Sequence, residues 1–185
     1  MARFEIDRRS FLGAAVGAIL GGISGRAETR APNIVLILAD DLGFGDLGCY
    51  GSKIPTPNLN RVAAEGAQFQ HFYAGSPVCT PSRAALLTGR YPERCGLSRV
   101  LFPEDTVGLA STETTVPKML KKQGYRTMCA GKWHLGSRPQ FMPNAQGFDR
   151  FFGIPYSNDM WPLPLLSNGD VVEANAKLDM LTQRY

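Results

Sequence analysis

The stretch CTPSR at residues 79–83 places a thiol, two hydroxyls and a guanidinium side by side. The thiol of Cys79 could be a nucleophile, a metal ligand, half of a disulfide or the precursor of a modified residue, and composition alone favours a structural cysteine. If a helix begins near Pro81, the guanidinium of Arg83 can turn back toward position 79 and favour the thiolate. A cysteine nucleophile also needs a neighbouring base, and His134 is a candidate for that role.

Two adjacent carboxylates, Asp40 and Asp41, follow the apolar run from Ile34 to Ala39. Open α/β sheets bind ligands at the carboxyl ends of their strands, and adjacent acids there repel unless a cation or hydrogen-bond donors offset the repulsion. Carboxylate oxygens suit Ca²⁺ or Mg²⁺. The alternative, which is the commoner outcome for an isolated pair, is that one acid caps a turn or helix and the other is solvated. Asp46 is interpreted as a turn residue.

The sequence GKWHLG contains a second pair of candidates, Lys132 and His134. On an extended chain these two side chains point the same way, and Trp133 points opposite. A lysine and a histidine on one side could hold an oxyanion and move a proton. The alternative is a surface lysine beside a packed histidine. His71 is interpreted as structural.

The elements that must position these residues alternate between strands and helices. The run Ile34 to Ala39 is apolar on both faces, as expected for a buried strand of a parallel sheet. Further segments are predicted as helices TPNLNRVAAEGAQF (56–69), PSRAALLTGR (81–90) and ETTVPKMLKKQG (113–124), as strands QHFYAG (70–75) and YRTMCAGKW (125–133), and as an irregular loop after Gly136. This order predicts βαβ units with helices on both faces of the sheet. The final LDMLTQRY is typical of the first turns of a helix.

The first 30 residues are interpreted as an export signal. Arg8 and Arg9 precede SFL and a weakly apolar run of fourteen residues, Phe11 to Ser24, which is too short to span a bilayer. This pattern resembles a twin-arginine (Tat) signal with cleavage near Ala27. An ordinary secretory signal or an uncleaved anchor is the alternative.

Charge and cysteine usage exclude other classes of function. Of the net charge of +4, half lies in residues 1–30, so residues 31–185 are nearly neutral and carry no basic stripe that would indicate nucleic acid binding. The four cysteines form no C-x-x-C pair, and two histidines support a zinc site poorly. Two disulfides are arithmetically allowed, although a Tat substrate folds in the reducing cytoplasm before export.

Four motifs in this order resemble the type I sulfatases of the alkaline-phosphatase-like superfamily. They are PNIVLILADDLGFGDLGCYG (32–51), CTPSRAALLTGR (79–90), GKWHLG (131–136) and GFDRFFGIPYSNDMWP (147–162), and the last is most similar to the arylsulfatase A subgroup. The resemblance runs from about Pro32 to Tyr185. It implies the N-terminal portion of an α/β fold with a mostly parallel sheet and helices on both faces.

The resemblance implies a use for the thiol of Cys79. In this family a dedicated system reads C-x-P-x-R and oxidises the cysteine to Cα-formylglycine. One hydroxyl of the hydrated aldehyde attacks sulfur, and the other then loses its proton and expels sulfate, which regenerates the aldehyde. By the same resemblance, Asp40, Asp41 and the modified Cys79 bind Ca²⁺, with Mg²⁺ as the alternative ion.

The remaining roles are also carried over from the family. Arg83 lowers the energy of the alkoxide, Lys132 binds a sulfate oxygen, and His134 takes the proton in the elimination. Ser157 contacts the substrate. Some relatives have a histidine after this serine where the chain has Asn158, so the leaving-group preference is expected to differ.

The family completes its site with a later Asp-Asn pair, a second lysine and a second histidine, and no match for these occurs before Tyr185. We therefore expect the 185-residue chain, expressed alone, to be inactive and poorly soluble. The expected function of the whole protein is hydrolysis of sulfated glycans or aryl sulfates in the periplasm or outside the cell, after contact with the Tat translocon and the formylglycine-generating system. The alternatives are a phosphonate or phosphodiester hydrolase of the same superfamily and a non-catalytic remnant.

Overall fold

A computed structural model describes residues 31–177 and Leu181. The described residues divide into two units, residues 31–41 and residues 42–177 with Leu181. The predicted export signal at 1–30 and most of the predicted terminal helix therefore lie outside the described residues. Among the described residues, no helix has both the length and the apolar character needed to cross a membrane.

In the first unit the prediction of a strand at Ile34 to Ala39 is wrong for this structure. Residues 31–39 form neither helix nor strand, and the apolar side chains of this run are exposed, Val35 and Ile37 by 82% and 83%. A segment that is apolar on both faces becomes a strand only when strands beside it accept its hydrogen bonds. The sheet formed by the described residues contains no such partner for this run.

The second unit contains three α-helices in the described residues: α1 (Pro57–Glu65), α2 (Cys79–Thr88) and α3 (Val116–Lys122). α1 and α3 lie within segments predicted as helices, and α2 begins two residues before its predicted start at Pro81. Pro57 occupies the first turn of α1, where its missing N–H costs no hydrogen bond. Gly89 ends α2 in the left-handed conformation, which glycine adopts without steric cost. The Thr115 side chain caps α3 by accepting a hydrogen bond from the Lys118 N–H at 3.4 Å.

Four strands form one mixed sheet in the order β1-β2-β3-β4: β1 (Met128–Lys132), β2 (Arg150–Ile154), β3 (Leu165–Ser167) and β4 (Asp170–Glu173). The first pair is parallel, and the next two pairs are antiparallel. The strand predicted at 125–133 is therefore present. The strand predicted at 70–75 is absent, and the segment after Gly136, predicted as irregular loop, contains three strands.

The backbones of β1 and β2 approach closely at a pair of glycines. Gly131 and Gly153 are register partners, and a Cβ atom on Gly153 would lie 1.9 Å from the carbonyl oxygen of Gly131. Only glycine fits at this contact. The close pairing sets the positions of the residues that follow each strand, because the Trp133 and His134 N–H groups donate to the carbonyls of Ile154 and Pro155.

Alternate residues of β2 enter two hydrophobic clusters. Phe151 belongs to one cluster and Ile154 to the other. The first cluster contains Ala84 of α2 and Leu101, so it packs the helix headed by Cys79 onto the sheet. The second cluster includes Leu181, the last described residue. Further apolar side chains outside these clusters are exposed, among them Phe69, Phe72, Met128 and Trp161.

Candidate active site

Cys79 is the first residue of α2. The first hydrogen bond of the helix runs from the Ser82 N–H to the Val78 carbonyl at 3.1 Å, so the helix begins two residues before the predicted start at Pro81. Thr80 and Pro81 are fully buried, whereas Cys79 is half-buried. The thiol therefore lies at the accessible end of a helix whose next two residues are anchored in the interior.

Arg83 joins α2 to β1. Its guanidinium Nη1 donates to the backbone carbonyl of Lys132 at 2.5 Å. Helical spacing predicted that Arg83 could turn back toward position 79, but it did not predict this contact with a strand 49 residues later. The helix that carries the cysteine and the strand that carries the lysine are consequently held together by a charged hydrogen bond.

A second contact leads from Lys132 to the segment after β2. The Lys132 ammonium donates to Ser157 Oγ at 3.1 Å. The Ser157 hydroxyl in turn donates to the Asp159 carboxylate, and this hydrogen bond is the main reason why the pKa of Asp159 lies below its ordinary value. A backbone hydrogen bond and the charges of Lys132 and His134 act in the same direction. Asp159 thus lies in the electrostatic field of both basic residues.

His134 is 1% exposed and has a left-handed backbone, with φ of 61°. Its ring Nε2 lies 2.8 Å from the Leu101 carbonyl oxygen, and its own carbonyl accepts a hydrogen bond from the Thr80 hydroxyl at 2.9 Å. The alternation that predicted Lys132 and His134 on one side of a strand requires extended backbone, and it ends with β1 at Lys132. Both residues nevertheless act electrostatically on one group, the Asp159 carboxylate, and lower its pKa.

The four cysteines form no disulfide; all of them lie among the described residues. Cys129 lies on β1, and burial raises the pKa of its thiol to about 11 against a smaller opposing effect of the Arg83 charge. At neutral pH this thiol stays protonated and is a poor nucleophile. Cys79 lies instead at the start of α2.

The two carboxylates proposed as metal ligands, Asp40 and Asp41, belong to the first unit. Asp41 has a left-handed backbone, with φ of 60°. Among residues 31–177 and Leu181, no three His, Cys, Asp or Glu side chains come together as a metal-binding group. Carboxylates are the right kind of ligand for Ca²⁺, which usually takes six to eight oxygens.

Three contributors to this site, Thr80, Leu101 and Asp159, were not predicted from the sequence. Thr80 occupies the unspecified position of the C-x-P-x-R motif, and Leu101 contributes only through its backbone. Asp159, two residues after Ser157, was not singled out, although an acid so near a predicted substrate-contacting serine was a usable signal.

The second unit thus combines a half-buried cysteine at a helix start with a buried histidine and with an arginine, a lysine and a serine that are linked by hydrogen bonds. The sulfatase family model matches residues 32–176, which is most of the chain. The chain belongs to the sulfatase family. This sulfatase chain is 54% identical to human arylsulfatase A over 155 residues, which are 82% of the chain and 31% of that relative.

Two solved structures resemble the sulfatase chain closely. The PsFucS1 sulfatase from Pseudoalteromonas sp. superimposes with a TM-score of 0.73 at 31% identity, covering 97% of the chain and 43% of that structure. Ps i-CgsB in complex with k-i-k-neocarrahexaose superimposes with a TM-score of 0.74 at 36% identity, covering 84% of the chain and 40% of that structure. These similarities confirm the predicted alkaline-phosphatase-like α/β fold, of which the chain represents a part. The chain spans about a third of the length of arylsulfatase A.

Proposed function

We propose that the protein hydrolyses sulfuric esters, with residues 31–185 as the N-terminal part of its catalytic domain. The observation that carries this proposal is the hydrogen bond from Arg83 to the Lys132 carbonyl, which joins the helix headed by Cys79 to the strand that ends in Lys132. A nucleophile and a cation that can receive an anionic group are thereby kept in fixed relation.

Cys79 is the proposed nucleophile after oxidation to Cα-formylglycine by a separate maturation system. The half-buried start of α2 leaves this residue accessible to a substrate, while Thr80 and Pro81 anchor the backbone behind it. A hydrated aldehyde supplies one hydroxyl for attack and a second for release of sulfate, so the covalent step has an exit that a serine would lack. Cys129 is unsuited to this role because desolvation raises the pKa of its thiol to about 11, so the thiol stays protonated at neutral pH.

Lys132 and Ser157 are proposed to bind and orient the sulfate, and Arg83 is proposed to stabilise the alkoxide of the nucleophile. The Lys132 ammonium is already directed by its hydrogen bond to Ser157, and the Asp159 carboxylate orients the Ser157 hydroxyl. A fixed ammonium stabilises negative charge on sulfate oxygens without reorganisation during the reaction. Arg83, about one helical turn after Cys79, adds positive charge near the start of α2, where the alkoxide of the nucleophile develops.

His134 is proposed as the base that takes the proton when sulfate is expelled. Its ring is buried and held by the Leu101 carbonyl, so its orientation is fixed before the substrate binds. Asp40 and Asp41 are proposed to supply carboxylate oxygens to Ca²⁺, or to Mg²⁺.

The proposed substrates are sulfated glycans or aryl sulfates. The similarity to human arylsulfatase A and to a structure solved with k-i-k-neocarrahexaose supports this choice. The twin arginines at positions 8 and 9 support Tat-dependent export to the periplasm or beyond. Replacing both arginines by lysine should retain the protein in the cytoplasm, as judged by cell fractionation.

The decisive experiment uses protein expressed in its native host from the complete reading frame. The mass of the tryptic peptide Val62 to Arg83 shows whether CH₂–SH has been replaced by CHO. The same preparation, and the control Cys79→Ser, are then assayed on an aryl sulfate and on a phosphate diester. A converted peptide with preferential sulfate release is the expected result. Preference for the diester would assign the phosphodiesterase class instead, and an unmodified, inactive protein would favour a non-catalytic remnant.

A further inference from the structure

Three hydrogen bonds close a ring between the start of α2, the segment at Leu101 and the residue that follows Trp133. The Thr80 hydroxyl donates to the His134 carbonyl at 2.9 Å, and the Leu101 N–H donates to Thr80 Oγ1 at 3.2 Å. The Leu101 carbonyl lies 2.8 Å from Nε2 of His134 and completes the ring. The three residues are 21 to 54 positions apart along the chain, so only the tertiary structure brings them together.

The three hydrogen bonds together decide which nitrogen of the His134 imidazole carries the proton. A carbonyl oxygen can only accept a hydrogen bond, so Nε2 facing the Leu101 carbonyl must be the N–H donor. In a neutral imidazole the other nitrogen, Nδ1, is then the basic one. A histidine that serves as a base must present its basic nitrogen to the proton it receives, and holding the wrong tautomer is known to be costly to catalysis.

Thr80 holds the backbone that imposes this choice. Its hydroxyl donates to the His134 carbonyl, and its oxygen accepts a hydrogen bond from the Leu101 N–H. Thr80, Leu101 and His134 are exposed by 0%, 3% and 1%, so water cannot readily replace a lost partner. Without the hydroxyl, the Leu101 N–H and the His134 carbonyl each lose a buried hydrogen bond, and the Leu101 carbonyl loses its fixed orientation.

We propose that Thr80 is a positioning residue that holds His134 in the Nε2–H tautomer and leaves Nδ1 as the nitrogen that accepts a proton. The part of this inference that concerns proton transfer rests on the proposed function, whereas the tautomer itself does not. A purely structural Thr80, present only to fill space beneath Cys79, would leave the tautomer of His134 unchanged when its hydroxyl is removed.

The test compares Thr80→Val, which keeps the shape but removes the hydroxyl, with Thr80→Ser, which keeps the hydroxyl. Both are made in the protein expressed from its complete reading frame with ¹⁵N-labelled histidine, and the His134 signals are assigned by their loss in His134→Gln. The ¹⁵N shifts of the neutral ring identify the tautomer. The mass of the Val62–Arg83 peptide gives the converted fraction, and kcat on an aryl sulfate is expressed per converted molecule.

We expect the Nε2–H tautomer in the wild type and in Thr80→Ser, whose kcat should stay within about threefold of the wild type. Thr80→Val should show a mixture of tautomers and a kcat lower by about tenfold to a hundredfold. An Nδ1–H ring in the wild type, or an unchanged tautomer in Thr80→Val, would overturn the inference. If Thr80→Val does not fold, the wild-type and Thr80→Ser spectra decide, because an Nδ1–H ring in either one contradicts it.

The tautomer readout separates this inference from the proposed function. The ring of hydrogen bonds does not include Cys79, so the spectra can be read in unconverted protein. If the protein released no sulfate but its Nε2–H tautomer still depended on Thr80, the positioning role of Thr80 would stand and the proposed sulfatase activity would be rejected.

Discussion

The guanidinium of Arg83 donates to the backbone carbonyl of Lys132, so a side chain of α2 is bonded directly to the last residue of β1. The bond links two motifs that lie 49 residues apart. It also gives Arg83 a structural role beside the catalytic one proposed for it, because the position of Lys132 depends on it.

Replacing Arg83 by Gln should lower the free energy of unfolding by about 1.5–3 kcal/mol, the usual contribution of a hydrogen bond to a charged group that is partly buried. The matched control is Arg90→Gln. Arg90 is exposed and forms a surface ion pair with Glu113 at 2.6 Å, so its loss should lower the free energy of unfolding by clearly less than the loss of Arg83. Urea unfolding of both variants measures the difference. Equal effects for the two arginines would show that the Arg83 bond does not stabilise the fold.

Gly153→Ala should destabilise the protein by about 2–4 kcal/mol, because the new Cβ would lie 1.9 Å from the Gly131 carbonyl oxygen and force β1 and β2 apart. Thermal unfolding followed by circular dichroism is a suitable measurement. The control is Gly45→Ala, where a Cβ atom meets nothing within 4 Å, and this change should stay within about 0.5 kcal/mol. A near-neutral Gly153→Ala would contradict the close pairing of the two strands.

Ser157→Ala should reduce kcat/KM for an aryl sulfate by about tenfold, or roughly 1.4 kcal/mol. The Lys132 ammonium would lose the hydroxyl that directs it, and Asp159 would lose its main hydrogen bond, so the pKa of Asp159 should rise. Steady-state kinetics test the first effect and carboxyl NMR the second. Ser137→Ala, which removes a hydroxyl bonded to the Pro103 carbonyl at 3.4 Å, should leave both unchanged.

Asp105 should make the stability of the protein depend on acid pH. Its hydrogen bond with Arg99 and a further one from the Phe102 N–H lower the pKa of Asp105 from an ordinary 3.8 to about 2. Because the folded pKa is the lower one, the stabilising effect is complete above about pH 4 and is lost as the pH falls toward 2. The difference in unfolding free energy between wild type and Asp105→Asn should shrink over that range.

The Arg99→Gln background serves as the control for this pH dependence. Without its main hydrogen-bond partner, Asp105 should titrate nearer its ordinary pKa, so Asp105→Asn should then give a smaller difference that varies less with pH. Urea unfolding over a pH series measures both. An unchanged pH dependence in that background would show that Arg99 is not the cause.

Local signals in the sequence were sufficient for the three helices and for β1. Pro57 suits a first helical turn, Gly89 suits the left-handed residue after a helix, and the segment at 125–133 has strand character. These features act between near neighbours. The family resemblance likewise depended only on residue types and their order, and the comparison with known sulfatases confirms it.

Strand formation elsewhere depended on pairing with other segments of the chain, which the local sequence does not specify. The run from Ile34 to Ala39 has every intrinsic feature of a buried strand, yet no strand of the described residues pairs with it. Conversely, β2 lies in a segment rich in proline and glycine, and it forms because Gly153 can approach Gly131. A strand is stabilised by hydrogen bonds to another segment, so its own composition is weak evidence.

The sequence by itself determined which side chains are available for chemistry: the cysteine, arginine, lysine, histidine and serine of the sulfatase motifs. Only the tertiary structure decided how they are held. It bonds Arg83 to the Lys132 backbone, ends the strand before His134, and fixes that ring through Thr80 and the Leu101 carbonyl. These contacts use backbone atoms that every residue possesses, and therefore only the folded path of the chain specifies them.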